Sequence, residues 1–170
     1  MSVEARIEPL TGKLPSISWR WDPETDILSG SFKVTGKQVG LTGTVELSDA
    51  EGSIAVVDVI GGVVRGLDIV VWPEVTTAPQ LAVPEARAGK VLLPARQSQP
   101  GIASLELDTT LSVATNSAES VFHLQIGSRR PVEPVRVADH LVVELDQKRR
   151  LAGFWLEKVP PFVGEEWEAR

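Results

Sequence analysis

The sequence predicts a mainly β protein, with antiparallel sheets built from two pseudo-symmetric repeats, sandwich- or barrel-like, and little helix. Three observations lead there. Apolar and polar residues alternate over short runs bounded by Gly, Pro and Asp, the period of a strand with one buried face. No stretch keeps an amphipathic helical period. And one stretch occurs twice: Ser53 to Val75 lies without a gap over His140 to Phe162 at an offset of 87. There Ile54 meets Leu141, Val56 meets Val143, Gly66 meets Gly153, Leu67 meets Phe154 and Ile69 meets Leu156.

Taken in order, residues 1–16 are a polar lead-in that Gly12 and Pro15 keep irregular. Ile17, Trp19 and Trp21 then alternate with Ser18 and Arg20, which predicts a strand. Asp22-Pro23-Glu24-Thr25 is a turn, since aspartate suits its first position and proline pre-sets φ at its second. Ile27 to Val34 returns as the partner strand. Val39, Leu41, Val45 and Leu47 share odd positions and predict further strands, followed by a loop over Ser48–Gly52. The apolar run Ile54 to Ile60 reads as a central strand, Gly61-Gly62 as a tight hairpin, and Val63 to Trp72 as the return strand stopped by Pro73.

Residues 74–104 are punctuated by Pro79, Pro84, Pro94 and Pro100 and read as the connection between repeats, with a short strand at Lys90–Leu93. From Leu105 to Thr115 alternation resumes as one long strand. The duplication extends to this region at an offset of 94, where Ile17 meets Leu111, Trp19 meets Val113, Asp22 meets Asn116 and Phe32 meets Ile126. The expected organisation is repeat one over 1–73, the connection over 74–104, repeat two over 105–162 and a tail over 163–170. Positions apolar in both copies form the expected core, 54/141 and 56/143 among them. Gly66 and Gly153 each precede a shared apolar position, which predicts a bulge or a close contact with no room for a side chain.

A chain of 170 residues with 42% apolar and 24% charged residues is in the globular range. Having no cysteine, it carries no disulfide and no thiolate metal site; that usage, with no signal peptide or membrane span, points to a cytoplasmic protein that does not engage membrane. The net charge of −6 disfavours nucleic acid.

The two blocks resemble a small bacterial β-rich domain family of unknown function. Its members open on a Tyr-Asp-x-x-x-Asp-x-Leu hairpin and close on a strand, an Asp-x-x-Gly-Arg turn and Gly-Ile-Glu-Ile. Trp21-Asp22-Pro23-Glu24-Thr25-Asp26-Ile27-Leu28 matches the opening, and Leu141 to Asp146, then Gln147 to Glu157, matches the closing. The resemblance implies a compact β unit and no activity.

Chemistry is sparse. Asp22-x-Glu24-x-Asp26 has the first spacings of a calcium loop, but Ile27 stands where glycine belongs and Lys33 where the twelfth-position acid belongs, so turn roles explain it better. His123 and His140 are the only histidines, with Asp139 or Glu119 as the nearest conceivable co-ligands, and nothing in the spacing favours a metal site. Arg129-Arg130 and Lys148-Arg149-Arg150 are small basic clusters at hairpin tips. No catalytic, cofactor or metal residues are assigned, and no cofactor is expected.

The same offset sets Val57, Val59 and Val71 against Glu144, Asp146 and Lys158. Repeat one then has an extra apolar face, covered by the 74–104 connection, by repeat two or by another subunit. With Trp21, Trp72 and Trp155, which fall outside the shared core, these valines are the interface candidates. The expected function is a non-catalytic module that binds a protein partner or forms a homodimer. The alternative is a small-ligand binder or hydrolase using Asp22, Asp26, Asp58 or Asp68 between the repeats.

Overall fold

The computed structural model describes residues 4–36, 40–93 and 102–162, with the backbone alone for 102–104. Val39, Pro94, Pro100 and the tail 163–170 with Trp167 lie outside the described residues. The strands are β1 (Arg6–Glu8), β2 (Arg20–Trp21), β3 (Leu28–Ser31), β4 (Thr42–Ser48), β5 (Ile54–Ile60), β6 (Val63–Val71), β7 (Val75–Thr77) and β8 (Arg87–Ala88). They continue as β9 (Lys90–Leu92), β10 (Ile102–Asp108), β11 (Leu111–Thr115), β12 (Phe122–Ile126), β13 (Val132–Ala138), β14 (Leu141–Asp146) and β15 (Leu151–Leu156). The described residues form no helix, so none is long and apolar enough to cross a membrane.

The strands form two mixed sheets of similar size. One has eight strands in the order β1-β9-β6-β5-β4-β10 with the β2–β3 hairpin attached to β6; the other has seven in the order β7-β11-β12-β15-β14-β13-β8. Inside each lies the same antiparallel five-stranded unit. β2-β3-β6-β5-β4 and β11-β12-β15-β14-β13 have the same neighbours in the same chain order. Register repeats as well: Leu28, Ser29, Gly30 and Ser31 face Ile69, Asp68, Leu67 and Gly66, as Phe122, His123, Leu124 and Gln125 face Leu156, Trp155, Phe154 and Gly153. Both opening hairpins close alike, Asp22 N–H on Ile27 O at 2.8 Å and Asn116 N–H on Val121 O at 3.3 Å.

The glycine expectation is met in both forms. Arg65 and Ala152 are the extra residues of a bulge just before Gly66 and Gly153. A β-carbon at Gly66 would collide with the carbonyl oxygen of Gly30, and one at Gly153 would stand 2.8 Å from the carbonyl oxygen of Leu124, the equivalent atom.

The ungapped match fails at one place. Gly61 and Gly62 (φ 55° and 83°) close β5 and β6 in a two-residue turn of the mirror-image type that only glycine enters freely. In the second unit the turn runs from Asp146 to Arg150 and is longer. β5 is therefore displaced by one residue: Ala55, Val57, Asp58 and Val59 occupy the places of Leu141, Val143, Glu144 and Leu145. A one-residue slip exchanges the faces of a strand. Ala55, Val57 and Val59 point into the core at 1% exposure or less, while Ile54 and Val56, expected inside, are half-buried on the outer side. The apparent contrast of Val57 with Glu144 and of Val59 with Asp146 disappears with the slip.

The expected long strand 105–115 is two strands in different sheets. β10 joins the first sheet in parallel beside β4, the chain turns at Thr109-Thr110, and β11 enters the second. Continuous alternation could not reveal that break, because β10 and β11 each bury alternate residues. Two bonds fix the crossing: Thr109 N–H to Ser48 O at 2.8 Å and Leu111 N–H to Asp49 Oδ2 at 2.8 Å.

The 74–93 segment straps the sheets together. β7 and β8 join the second sheet in parallel beside β11 and β13, and β9, found where a short strand is expected, pairs with β1 and β6 in the first. The lead-in ties them again through Ile17 N–H to Asp139 Oδ1 at 2.9 Å and Asp139 N–H to Pro15 O at 2.9 Å. One apolar cluster, holding Leu28, Val57, Leu67, Leu124, Val143 and Phe154, spans both sheets.

Alanine at Gly66 or at Gly153 forces a carbonyl and its strand to move, so each variant should lose on the order of 1–3 kcal/mol of unfolding free energy in urea melts. Unchanged midpoints in both would mean the close approach is absent.

Candidate functional site

The outer face of the second sheet carries a buried polar cluster from β12, β14 and β15. Glu144 is 7% exposed, its Oε1 lies 2.6 Å from His123 Nε2, and its Oε2 accepts a 3.1 Å bond from Trp155 Nε1. The imidazole and indole stack with centroids 4.2 Å apart. Gly153 makes the space, since a β-carbon there would stand 2.5 Å from Glu144 Oε1. Both Glu144 carboxylate oxygens thus have a partner, and the two stacked rings cover them on this face.

The equivalent positions of the first sheet are Ser29 for His123, Asp58 for Glu144 and Asp68 for Trp155. Here the face stays open. A hollow of about 480 Å³ is lined by Ser18, Arg20, Ser29, Ser31, Asp58 and Asp68, among others. Asp58 Oδ2 takes Arg65 Nε at 2.9 Å. Burial, joined by the charge of Asp58 and opposed by the Ser29 hydroxyl, raises the Asp68 carboxyl above its ordinary value. These two carboxylates therefore meet on the outer face of one sheet. Asp22 and Asp26 lie elsewhere, in the β2–β3 turn: Asp22 Oδ1 accepts Glu24 N–H at 2.9 Å, the bond that most lowers its pKa, and Asp26 is at φ 53°.

Two side chains of the basic clusters, Arg130 and Arg150, are bound into the fold. Asp146, 6% exposed, accepts Lys148 N–H and Arg150 N–H on Oδ1 and the Nε atoms of Arg130 and Arg150 on Oδ2, each at 2.9 Å. Burial pushes its pKa up, but the Arg150 N–H, the Arg130 guanidinium, the Lys148 N–H and the Arg150 guanidinium outweigh that and hold it at about 2. Arg149 reaches Glu133 at 3.2 Å. His140 Nε2 is 3.6 Å from Asp139 Oδ2, and no group of three His, Asp or Glu able to hold a metal occurs among the described residues.

Of the interface candidates, Val57 and Val59 are inside the chain and present no surface to a partner. Trp155 is spent on Glu144. Trp21 and Trp72 do come together, stacked at 5.5 Å, with Phe122 edge-on to Trp21 at 6.3 Å and Phe162 edge-on at 5.3 Å. Trp21 Nε1 donates to Pro160 O at 2.7 Å and Trp72 Nε1 to Asp26 O at 2.8 Å. Both indoles are thereby held in place and half-buried. Phe162, against Trp21, and Val71, which precedes Trp72 in the chain, are each 44% exposed.

No protein-family model matches the chain, and no curated protein matches it either.

Sequence reasoning missed the Glu144–His123–Trp155 contact and the Asp146–Arg130 network. The first was open to view: with the strands in register, Trp155 stands opposite both His123 and Val142.

Asp146 gives a pH signature. Its folded pKa of about 2 lies below the ordinary 3.8, so its contribution is complete above about pH 4 and is lost as pH falls through 2. Asp146→Asn should cost about 2 kcal/mol at neutral pH, with the gap from wild type closing between pH 4 and 2. A gap that stays constant across that range would contradict this role.

Proposed function

We propose that the chain is a non-catalytic β module that binds protein, and that its partner is a second copy of the same chain. The observation that carries this reading is the aromatic surface at Trp21, Trp72 and Phe162. Among the described residues four large apolar side chains are exposed; one of them, Phe162, packs edge-on against Trp21, and another, Val71, directly precedes Trp72 in the chain. Indoles pinned by hydrogen bonds to backbone carbonyls lose little freedom on contact, which suits them as anchors.

We also read the two units as copies of the small bacterial domain with the Asp-x-x-Gly-Arg turn. In support, Arg149 sits at φ 61° in the place of that motif's glycine, between Asp146 and Arg150.

Light scattering across a concentration series is the test. Wild type should pass from monomer to dimer, and Val71→Glu with Phe162→Glu should remain monomeric while still unfolding in one cooperative transition, since both side chains are partly exposed. A wild type that is monomeric throughout would refute the self-association.

A further inference from the structure

A hollow of about 360 Å³ opens between the two sheets, lined by Val63 and Val64 of β6 from one and by Val137 of β13 from the other. It lies where the chain crosses between them: the lead-in runs past it, and Gly89, also in its wall, separates β8 in the second sheet from β9 in the first. Its floor is the apolar core. Phe32, Val63, Val64 and Val137 all belong to the cluster that spans both sheets. A pocket of this volume, mostly apolar with a few polar groups, has the general character of a small-molecule site.

The charge around this floor is of one sign. Lys13, Lys33 and Lys90, three of the six lysines in a chain of net charge −6, line the hollow, and no Asp or Glu lines it among the described residues. None of the three lysines forms an ion pair among the described residues. Glu8, opposite Lys90 in the β1–β9 register, is engaged by Arg6 Nε at 3.2 Å and does not line the hollow. Cations gathered around one hollow repel one another, and an anion seated among them turns that repulsion into attraction.

We propose that this hollow binds an amphipathic organic anion, an apolar chain or ring ending in one anionic group, with the apolar part on the Phe32–Val63–Val64–Val137 floor and the charge beside the lysines. Each half of the lining excludes a simpler guest. Inorganic phosphate would meet the lysines and leave the apolar floor wet, while a neutral hydrocarbon would cover the floor and leave the lysines without a counter-charge. A nucleic-acid strand needs a basic track along its backbone, and the net charge of −6 opposes its approach. The site is separate from the aromatic surface. β6 begins at the hollow with Val63 and runs nine residues toward Trp72, roughly 30 Å at the rise of a strand, so binding here does not depend on self-association.

Decanoate is a suitable probe, followed by amide chemical shifts in the full chain, with decanol and acetate as its two halves. Saturable shifts with decanoate should cluster at Phe32, Val63, Val64, Gly89 and Val137, and each half alone should bind at least tenfold more weakly. Lys13→Gln with Lys33→Gln and Lys90→Gln should weaken decanoate about tenfold or more, as the loss of three partly sheltered charge pairs implies. Lys13 and Lys33 are exposed and Lys90 is half-buried, so the triple variant should still unfold in one cooperative transition, which separates a lost site from a lost fold. No saturable shift at millimolar decanoate, shifts centred instead on Trp21 and Trp72, binding indifferent to the three substitutions, or decanol binding as well as decanoate would each overturn the proposal.

Discussion

A carbonyl oxygen pressed against a glycine occurs once in each unit, and much of the architecture follows from it. Gly30 O and Leu124 O occupy the space that a side chain at residue 66 or 153 would need. The bulged residues Arg65 and Ala152 lie immediately before, and each bulge re-aims its strand. In both units this lets a long hairpin carry buried apolar residues on its core face and a carboxylate, Asp58 or Glu144, on its outer face beside the glycine. The feature is one of backbone geometry, so the surrounding side chains were free to diverge into a closed ring cluster in one unit and an open polar hollow in the other.

The units are joined by more than contact between their apolar faces. The lead-in, the 74–93 segment and the β10–β11 crossing each pass between the sheets, and each is fixed by backbone or carboxylate hydrogen bonds such as Leu111 N–H to Asp49 Oδ2. Such straps reduce the freedom of the sheets to slide, and they account for the three parallel pairs, β10–β4, β7–β11 and β8–β13, at the margins of otherwise antiparallel units.

The fold class, the two glycines and most of the core were legible in the sequence, because alternation and repeated turn chemistry report directly on buried strand faces. Ile17, Trp19, Leu28, Leu67, Leu111 and Phe154 lie where their pattern placed them. What was not legible turned on register. An ungapped match hid the shorter Gly61-Gly62 turn and so reversed the faces of β5, which made core valines look like spare surface. The candidate sites were legible only in fragments: the tryptophans stood out by type, but the stacking of Trp21 on Trp72 and the meeting of Asp58 with Asp68 depend on strand neighbours that no local pattern specifies.

The register of β5 underlies the equivalence of the units and the comparison of their outer faces. It is tested most directly by two single variants, Val57→Asp and Val56→Asp, melted side by side. Val57 is fully buried and opposite Leu67, so a carboxylate there should unfold the chain or cost several kcal/mol, whereas Val56 is half-buried on the outer face opposite Asp68 and should tolerate aspartate at a cost of about 1 kcal/mol. The reverse order, with Val56→Asp the more damaging, would contradict the account.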